Sequence, residues 1–534
     1  PNVVYAMDNL YTCSQDTQDA IKEKIKEHNL NRVVVASCSP RTHEPLFQET
    51  IQEAGLNRYL FEMANIRDQC SWVHMQEPEA ATEKAKDLVR MGTAKAAKLE
   101  PLLRFRLGVT KRGLIIGGGI SGMSAALSLA RQGFEVYLIE KEKELGGLMR
   151  SIYYTLEGND TQEFLEDIKR EVSDNQLIQV FTNAQPKEIS GYVGNFKTTL
   201  TSGEELEHGI VIVATGAEEL KSEEYLYGKN EKVITQMELE EKLSVKNSRI
   251  DDLKSVVMIQ CVGSREDERP YCSRVCCSES IKNALKIKEV SPGSDVFILY
   301  RDMRTYGFKE DYYRSAREKG VIFIRYTEEE KPEVVEENGN LKVSVKDTVL
   351  GEKLLLWPDV VVLGVATVPR EENKSLAQML KVPLNDDGFF LEAHVKLRPV
   401  EFATEGVFLC GLAHNPKFLD ESITQANAAA SRASVILSQD EIEAEGTVAT
   451  VNVARCSACG MCESLCAYKA VEVKTVDERR GIRAAQVTEA LCKGCGACVA
   501  NCRSSALDLR GFTDDQIFSA ISSFQGVSGE LNRG

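Results

Sequence analysis

Apolar residues along the chain fall into short runs separated by stretches with three-to-four-residue spacing. In the first hundred residues "NVVYAM", "RVVVASCS" and "RYLFEMA" read as strands. "TQDAIKEKIKEHN", "HEPLFQETIQEAG" and "EAATEKAKDLVRMGTAKAA" read as helices. Strands alternating with helices make this stretch a small parallel α/β unit. A second alternation starts near residue 112 with a strand, a glycine-rich turn and a helix, and runs to "HGIVIVATGAEEL". A third starts at "KSVVMIQ", crosses a cysteine-rich segment, and continues through the helix "SESIKNALKIKE" to the strand "DVFILYRD". The strand "GVFLCG" and the helix "ESITQANAAASRASVIL" follow, and then an acidic linker, "SQDEIEAEGT". Residues 448–510 hold two cysteine runs that repeat each other, and "TDDQIFSAISSF" beyond them is an amphipathic helix.

At 534 residues the chain is too long for one hydrophobic core. A net charge of −16 disfavours nonspecific binding to nucleic acid or anionic lipid, so no nucleic-acid partner is expected. The chain opens on Pro1 with no signal peptide, which suggests that it starts inside its gene product. Gly113 to Ala130 carries no charge over 18 residues, about the minimum for a membrane span. Its five glycines and strand-turn-helix pattern argue for a nucleotide loop instead, and no transmembrane segment is expected. The 16 cysteines, with Cys-x-x-Cys repeated, point to metal ligation in a reducing, cytoplasmic compartment rather than to disulfides.

Cys456, Cys459, Cys462 and Cys466 follow C-x2-C-x2-C-x3-C, and Cys492, Cys495, Cys498 and Cys502 repeat it. This is two-cluster ferredoxin spacing, in which the fourth cysteine of each run crosses to the other [4Fe-4S] cube. One cluster is expected on Cys456, Cys459, Cys462 and Cys502, the other on Cys492, Cys495, Cys498 and Cys466. Ala467 and Arg503 stand where proline often follows. The competing reading, zinc, asks for separate tetrahedral groups.

In "GLIIGGGISGMSAALSLARQGFEVYLIEK", Gly117, Gly119 and Gly122 fit G-x-G-x-x-G between a strand and a helix. The loop, with Ile120 and Ser121, lets backbone approach a pyrophosphate at the helix N-terminus. Glu140, followed by Lys141, ends the second strand, where a carboxylate binds ribose hydroxyls. Gly146 and Gly147 in "KELGGL", Thr215 and Gly216 in "IVIVATGA", and Gly411 in "GVFLCG" resemble positions of the thioredoxin-reductase-like flavoproteins, which favours FAD over NAD. That group usually has Asp after the last glycine; Leu412 stands here. The helix that follows, with Ser422 and Gln425, would aim backbone N–H groups at the flavin ring.

In the same group a second glycine loop binds NAD(P)H. Here the corresponding strand and helix enclose "CVGSREDERPYCSRVCC" instead, with Cys261, Cys272, Cys276 and Cys277. Four thiolates at a strand end and a helix start can hold a third [4Fe-4S] cluster. The alternative is a buried or redox-active pair.

"QCVGSREDERPYCSRVCC…IKNA", "YRDMRTYG", "VVVASCSPRTHEPLFQ" and "EMANIRDQCSWVH", with the glycine loop and paired cysteine runs, resemble the HdrA family of heterodisulfide reductase components over nearly the whole chain. The resemblance implies an α/β chain: a thioredoxin-reductase-like two-dinucleotide-fold flavoprotein core, an N-terminal α/β domain and a C-terminal two-cluster ferredoxin domain. The expected domains are 1–100, an N-terminal domain; 101–251 with 369–445, the FAD domain; 252–368, an NAD-like domain with the cysteine quartet; and 446–534, ferredoxin and tail. The resemblance also implies a catalytic lysine near flavin N5, at Lys282; the alternative is a solvated helix lysine. It implies electron transfer with flavin-based bifurcation among FAD, clusters, ferredoxin and partner subunits. Those partners would be heterodisulfide reductase B- and C-like subunits and a hydrogenase or dehydrogenase as electron input, around a homodimer of this chain.

Two departures stand out. Methanogen-type members carry a ferredoxin insert in the first half of the FAD domain, whereas "LGGLMRSIYYTLEGNDTQEFLEDIKREV" passes through without cysteine. At the other end, Cys13, Cys38 and Cys70 lie on one edge of the N-terminal unit and suggest a fourth cluster. Its missing ligand would come from upstream of Pro1. Cys410 reads as packing. A stand-alone NAD(P)H-dependent flavoenzyme and a scaffold stabilised by its clusters are the competing readings. His43, His74, His208 and His414 form no hydrolytic pattern.

Overall fold

The structure is a computed structural model that describes residues 3–244 and 253–524. It divides into two compact units: residues 108–442, and residues 1–107 together with 443–534.

The larger unit is built on two five-stranded parallel sheets. In the first the strand order is Val407–Leu409, Ile210–Val213, Arg112–Ile116, Glu135–Ile139, Ile178–Phe181. A parallel sheet is covered on both faces, which is why its central strands read as unbroken apolar runs rather than alternating ones. Ile210, Val211, Ile212 and Val213 are all fully buried. The helix Ile120–Ala130 packs on the helix Leu419–Leu437, with Ala125 and Ala126 on one side and Ala426, Ala429, Ala430 and Ala433 in the same core. Small side chains let the two backbones approach, and both helix N-termini begin beside the sheet's carboxyl edge.

The second sheet runs Val233–Thr235, Val360–Val365, Ser255–Val262, Asp295–Tyr300, Ile322–Arg325. The helix Cys276–Val290 covers it, burying Ile281, Ala284 and Ile287. An antiparallel pair, Ala217–Glu219 with Thr367–Pro369, carries the chain between the two sheets. In open α/β sheets ligands bind outside the carboxyl ends of the strands, and both candidate sites of this unit lie there.

In the smaller unit Val33–Ser37 pairs in parallel with Phe61–Asn65, flanked by the helices Gln15–Glu27, Pro40–Glu53 and Pro78–Ala96. The strand expected at "NVVYAM" does not form over its described residues: Val3 and Val4 are 61% and 77% exposed. β-branched residues favour a strand only where a neighbour supplies hydrogen bonds and packing. The cysteine repeats fold around two antiparallel pairs, Ala449–Val451 with Leu507–Leu509 and Val471–Asp477 with Ile482–Val487. The helix Asp514–Ser522 lies on Pro78–Ala96: Gln516 Nε2 donates to the Lys98 carbonyl (3.1 Å) and Ser519 to the Ala94 carbonyl (3.1 Å). Among the described residues no helix is long and apolar enough to cross a membrane.

Candidate functional site

The main cleft lies at the carboxyl edge of the first sheet and holds about 1260 Å³ of empty space, part of it open to solvent. Gly117, Gly119, Ile120, Ser121, Glu140, Lys141, Gly146, Gly147, Thr215, Gly216 and Ser422 all line it. The glycines divide the work. Gly117 takes φ +111°, and a Cβ there would lie 2.3 Å from the Ala214 carbonyl oxygen. A Cβ on Gly122 would lie 1.8 Å from the Gly117 oxygen. These two let strand, turn and helix close on one another. Gly119 instead faces open space, with nothing within 4 Å of its Cβ position, and caps the helix Ile120–Ala130. Free amides and the helix dipole point into that opening, a cradle for a pyrophosphate. Glu140 is 8% exposed; one oxygen accepts from Gly118 N (2.7 Å) and the other from Glu142 N (2.9 Å). These bonds fix the carboxylate at the strand end, where lone pairs remain for ribose hydroxyls. Cleft size, open glycine face and fixed carboxylate fit FAD.

Gly122, Gly411 and Gln425 stand behind the wall. Gly411 N donates to Gln425 Oε1 (2.9 Å), and a Cβ on Gly411 would collide with Ser121 Oγ at 2.3 Å. Cys410 is fully buried, and burial pushes its thiol up to about 12. Lys141 pairs with Glu372 (2.6 Å) at the cleft wall.

The cysteine quartet lies at the corresponding edge of the second sheet. The strand Ser255–Val262 slips register between Ile259 and Val262, and Cys261 sits in that bulge at φ +63°. Cys276 and Cys277 open the helix Cys276–Val290, and Cys272 accepts from Arg274 N (3.3 Å). The four sulfurs feel one another. Burial raises the Cys261 thiol, with Cys277 and Cys272 adding to it. Cys276 is held protonated by donating to Cys277, whose thiol falls to about 7, helped by Arg304 and Arg265. Such a pattern, one acidic thiol at a helix start among buried neighbours, suits soft-metal ligation.

In the ferredoxin-like part Cys466, Cys492, Cys495 and Cys498 line one small pocket. Cys462 interacts electrostatically with Cys456 and Cys459, and Cys459 with Cys502. Backbone amides of Ala485, Ala470, Ala449 and Ala506 donate to the sulfurs of Cys456, Cys466, Cys492 and Cys502 at 3.2–3.4 Å. The two runs repeat in backbone as well as sequence: Ala458, Gly460 and Lys469 take positive φ, as do Gly494, Gly496 and Ser505 at the matching positions. Among the described residues no three His, Cys, Asp or Glu close on a single-ion site. In the N-terminal part Cys38 follows the strand Val33–Ser37, and buried Cys70 donates to the Ala81 carbonyl (2.8 Å). Cys13 is exposed just before the first helix.

Lys282 does not line the cleft. Its Nζ pairs with buried Glu240 (2.7 Å), donates to the Tyr154 carbonyl (2.8 Å) and lies 4.9 Å from the Tyr154 ring. The other Glu240 oxygen accepts from Tyr153 N (2.7 Å), and the neighbouring Ile152 is a cleft residue. Lys282 is thus held in a buried ion pair behind the wall. Two residues without a sequence signal join the site. Arg274 reaches from the quartet segment to the Pro416 carbonyl (3.0 Å) and Glu421 (2.7 Å), and Lys417 lines the cleft.

Residues 111–259 match the pyridine nucleotide-disulphide oxidoreductase family, and residues 455–506 match the 4Fe-4S dicluster domain. The chain is similar to an A-type iron-sulfur subunit of CoB–CoM heterodisulfide reductase from Methanopyrus kandleri, 39% identical over 574 aligned positions, 89% of this chain and 87% of that protein. It is similar to the corresponding A-type subunit of the H(2):CoB-CoM heterodisulfide,ferredoxin reductase of Methanothermobacter thermautotrophicus, 37% identical, 89% and 86% covered. A heterodisulfide reductase HdrA-like protein of Archaeoglobus profundus is 32% identical, 90% and 88% covered. Among solved structures, Lactococcus lactis thioredoxin reductase covers 61% of this chain and 99% of its own, at 18% identity and a TM-score of 0.44.

Proposed function

This chain belongs to the HdrA family of heterodisulfide reductase components, and from that premise we propose that it divides electrons between ferredoxin and partner subunits by way of FAD and at least three [4Fe-4S] clusters. That it is a flavin and iron–sulfur electron-transfer oxidoreductase follows from the family and from the two matched domains. FAD exchanges electrons in ones or twos and the clusters one at a time, so together they convert between the two.

The observation that carries the proposal is the cysteine quartet where a nicotinamide loop would stand. The family match ends at residue 259, just before Cys261. Beyond it the backbone bulges to aim a thiol, and Arg274 ties the segment to the wall of the flavin cleft. A loop so filled has no open glycine face for a second dinucleotide, and electrons would enter by the cluster. The names of two relatives join a heterodisulfide and ferredoxin in one reductase, which supports bifurcation here. In this reading B- and C-like subunits carry the terminal reduction, a hydrogenase- or dehydrogenase-type subunit supplies electrons, and the chain works as a homodimer within that complex. Cys13, Cys38 and Cys70 would serve a fourth cluster with one further ligand.

The test is anaerobic addition of NADH and NADPH to the purified chain. The visible absorbance of the oxidised flavin is expected to persist, whereas reduced ferredoxin bleaches it. Rapid bleaching by a nicotinamide would reject the reading.

A further inference from the structure

The ring end of the cleft, opposite Glu140, is walled by Leu412, Lys417, Leu419 and Ser422. Lys417 is 8% exposed. Its Nζ donates to the Gly411 carbonyl (2.8 Å) and lies 3.5 Å from His414 Nδ1, and among the described residues no carboxylate lies within 4 Å of it. The two acids nearby are already engaged. Glu421 pairs with Arg274 (2.7 Å) and accepts from Phe418 N (2.8 Å); Glu392 accepts from His414 Nε2 (2.9 Å). His414 Nδ1 in turn accepts from Gln425 Nε2 (2.8 Å), so the imidazole is neutral and offers no counter-charge. Burial lowers the Lys417 ammonium to about 8, with Cys410, Glu421, Arg274 and Glu392 as the other charged or titratable groups around it. The helix Leu419–Leu437 begins two residues later and adds positive potential of its own. A buried cation without a paired counter-charge, set against a helix N-terminus, is unfavourable unless something negative occupies the cleft.

We propose that Lys417 is the positioning cation that favours the reduced, anionic flavin. The proposal rests on FAD occupying the cleft. Two electrons and one proton leave one added negative charge on the isoalloxazine, and that charge supplies the counter-charge Lys417 lacks.

The experiment compares wild type, Lys417→Gln and Lys417→Arg, each purified anaerobically with its bound cofactors, by flavin content and by the flavin midpoint potential in a dithionite titration. Glutamine still donates to the Gly411 carbonyl but carries no charge. It is expected to shift the reduced-to-oxidised ratio against the reduced form about tenfold, about 30 mV for a two-electron couple. Arginine is expected to stay within about threefold of wild type. If the glutamine variant loses FAD, the ratio of its affinities for reduced and oxidised FAD on reconstitution reports the same free energy through the thermodynamic cycle. An unchanged ratio in glutamine, or an arginine shift as large as that of glutamine, overturns the proposal. Wild-type protein without FAD would overturn the cleft assignment itself and the proposal with it.

Discussion

Glu219 and His208 show how burial, as the largest cause, shifts protonation in this chain. Burial pushes the Glu219 carboxyl up to about 8, with Glu279, Glu238 and Glu240 adding to it and the Thr235 hydroxyl (3.3 Å) opposing. The folded state therefore keeps a proton that the unfolded chain releases near 4.5, and this group's contribution to stability falls as pH rises from 4.5 to 8. Glu219→Gln is expected to raise the melting temperature more at pH 8 than at pH 5, measured on anaerobic protein; an equal change at both would reject it. His208 has the opposite sign. Buried between Thr198 Oγ1 (2.8 Å) and the Ile210 carbonyl (3.0 Å), it falls to about 4, so stability is lost as pH drops from 6.5 toward 4. The sequence marks neither group, because burial is a property of what packs around a residue. Lys282 teaches the same lesson. Its resemblance to a flavin-facing lysine is legible, but its partner Glu240 lies on another helix, and no motif links the two.

At the scale of elements, strands and the glycine loop are readable because their signals are local. Unbroken apolar runs announce buried parallel strands, and a strand-loop-helix with three spaced glycines announces a nucleotide cradle. The bulge at Cys261 and the reach of Arg274 to Pro416 are not readable, since each depends on register or on residues far away in sequence. "NVVYAM" misleads for a related reason: its residues suit a strand, and no described strand pairs with them. The quartet permits a clean test of the element it opens. Cys276→Ser is expected to remove one cluster's electron paramagnetic resonance signal and to leave FAD and the two ferredoxin-type signals in place. The serine is nearly isosteric, so the buried helix start is destabilised by no more than about 1–2 kcal/mol. Retention of every cluster signal would show that the quartet holds none.

For the molecule as a whole, cluster number is the quantity that separates the readings. About 12 irons per chain correspond to three clusters and about 16 to four, by colorimetric assay of anaerobically purified protein; about eight would remove the quartet from the wiring. The aligned spans with two relatives, 574 and 572 positions, exceed the 534 residues of this chain. Those relatives therefore hold residues inside the match that this chain lacks, in keeping with the cysteine-free passage after Gly147.

The helix Asp514–Ser522 resting on Pro78–Ala96 has a consequence for assembly on the ribosome. Residues 108–442 form a compact unit of their own, which is complete once its last helix, Leu419–Leu437, has emerged to cover Ile120–Ala130. Residues 3–107 cannot finish: the surface that buries Gln516 and meets Ser519 waits for more than 300 residues of synthesis. At about 5–20 residues per second the N-terminal part stays incomplete for tens of seconds. The face of Pro78–Ala96 that meets this helix stays open to solvent over that interval, whereas Cys38 and Cys70 already have their neighbours from within the N-terminal part.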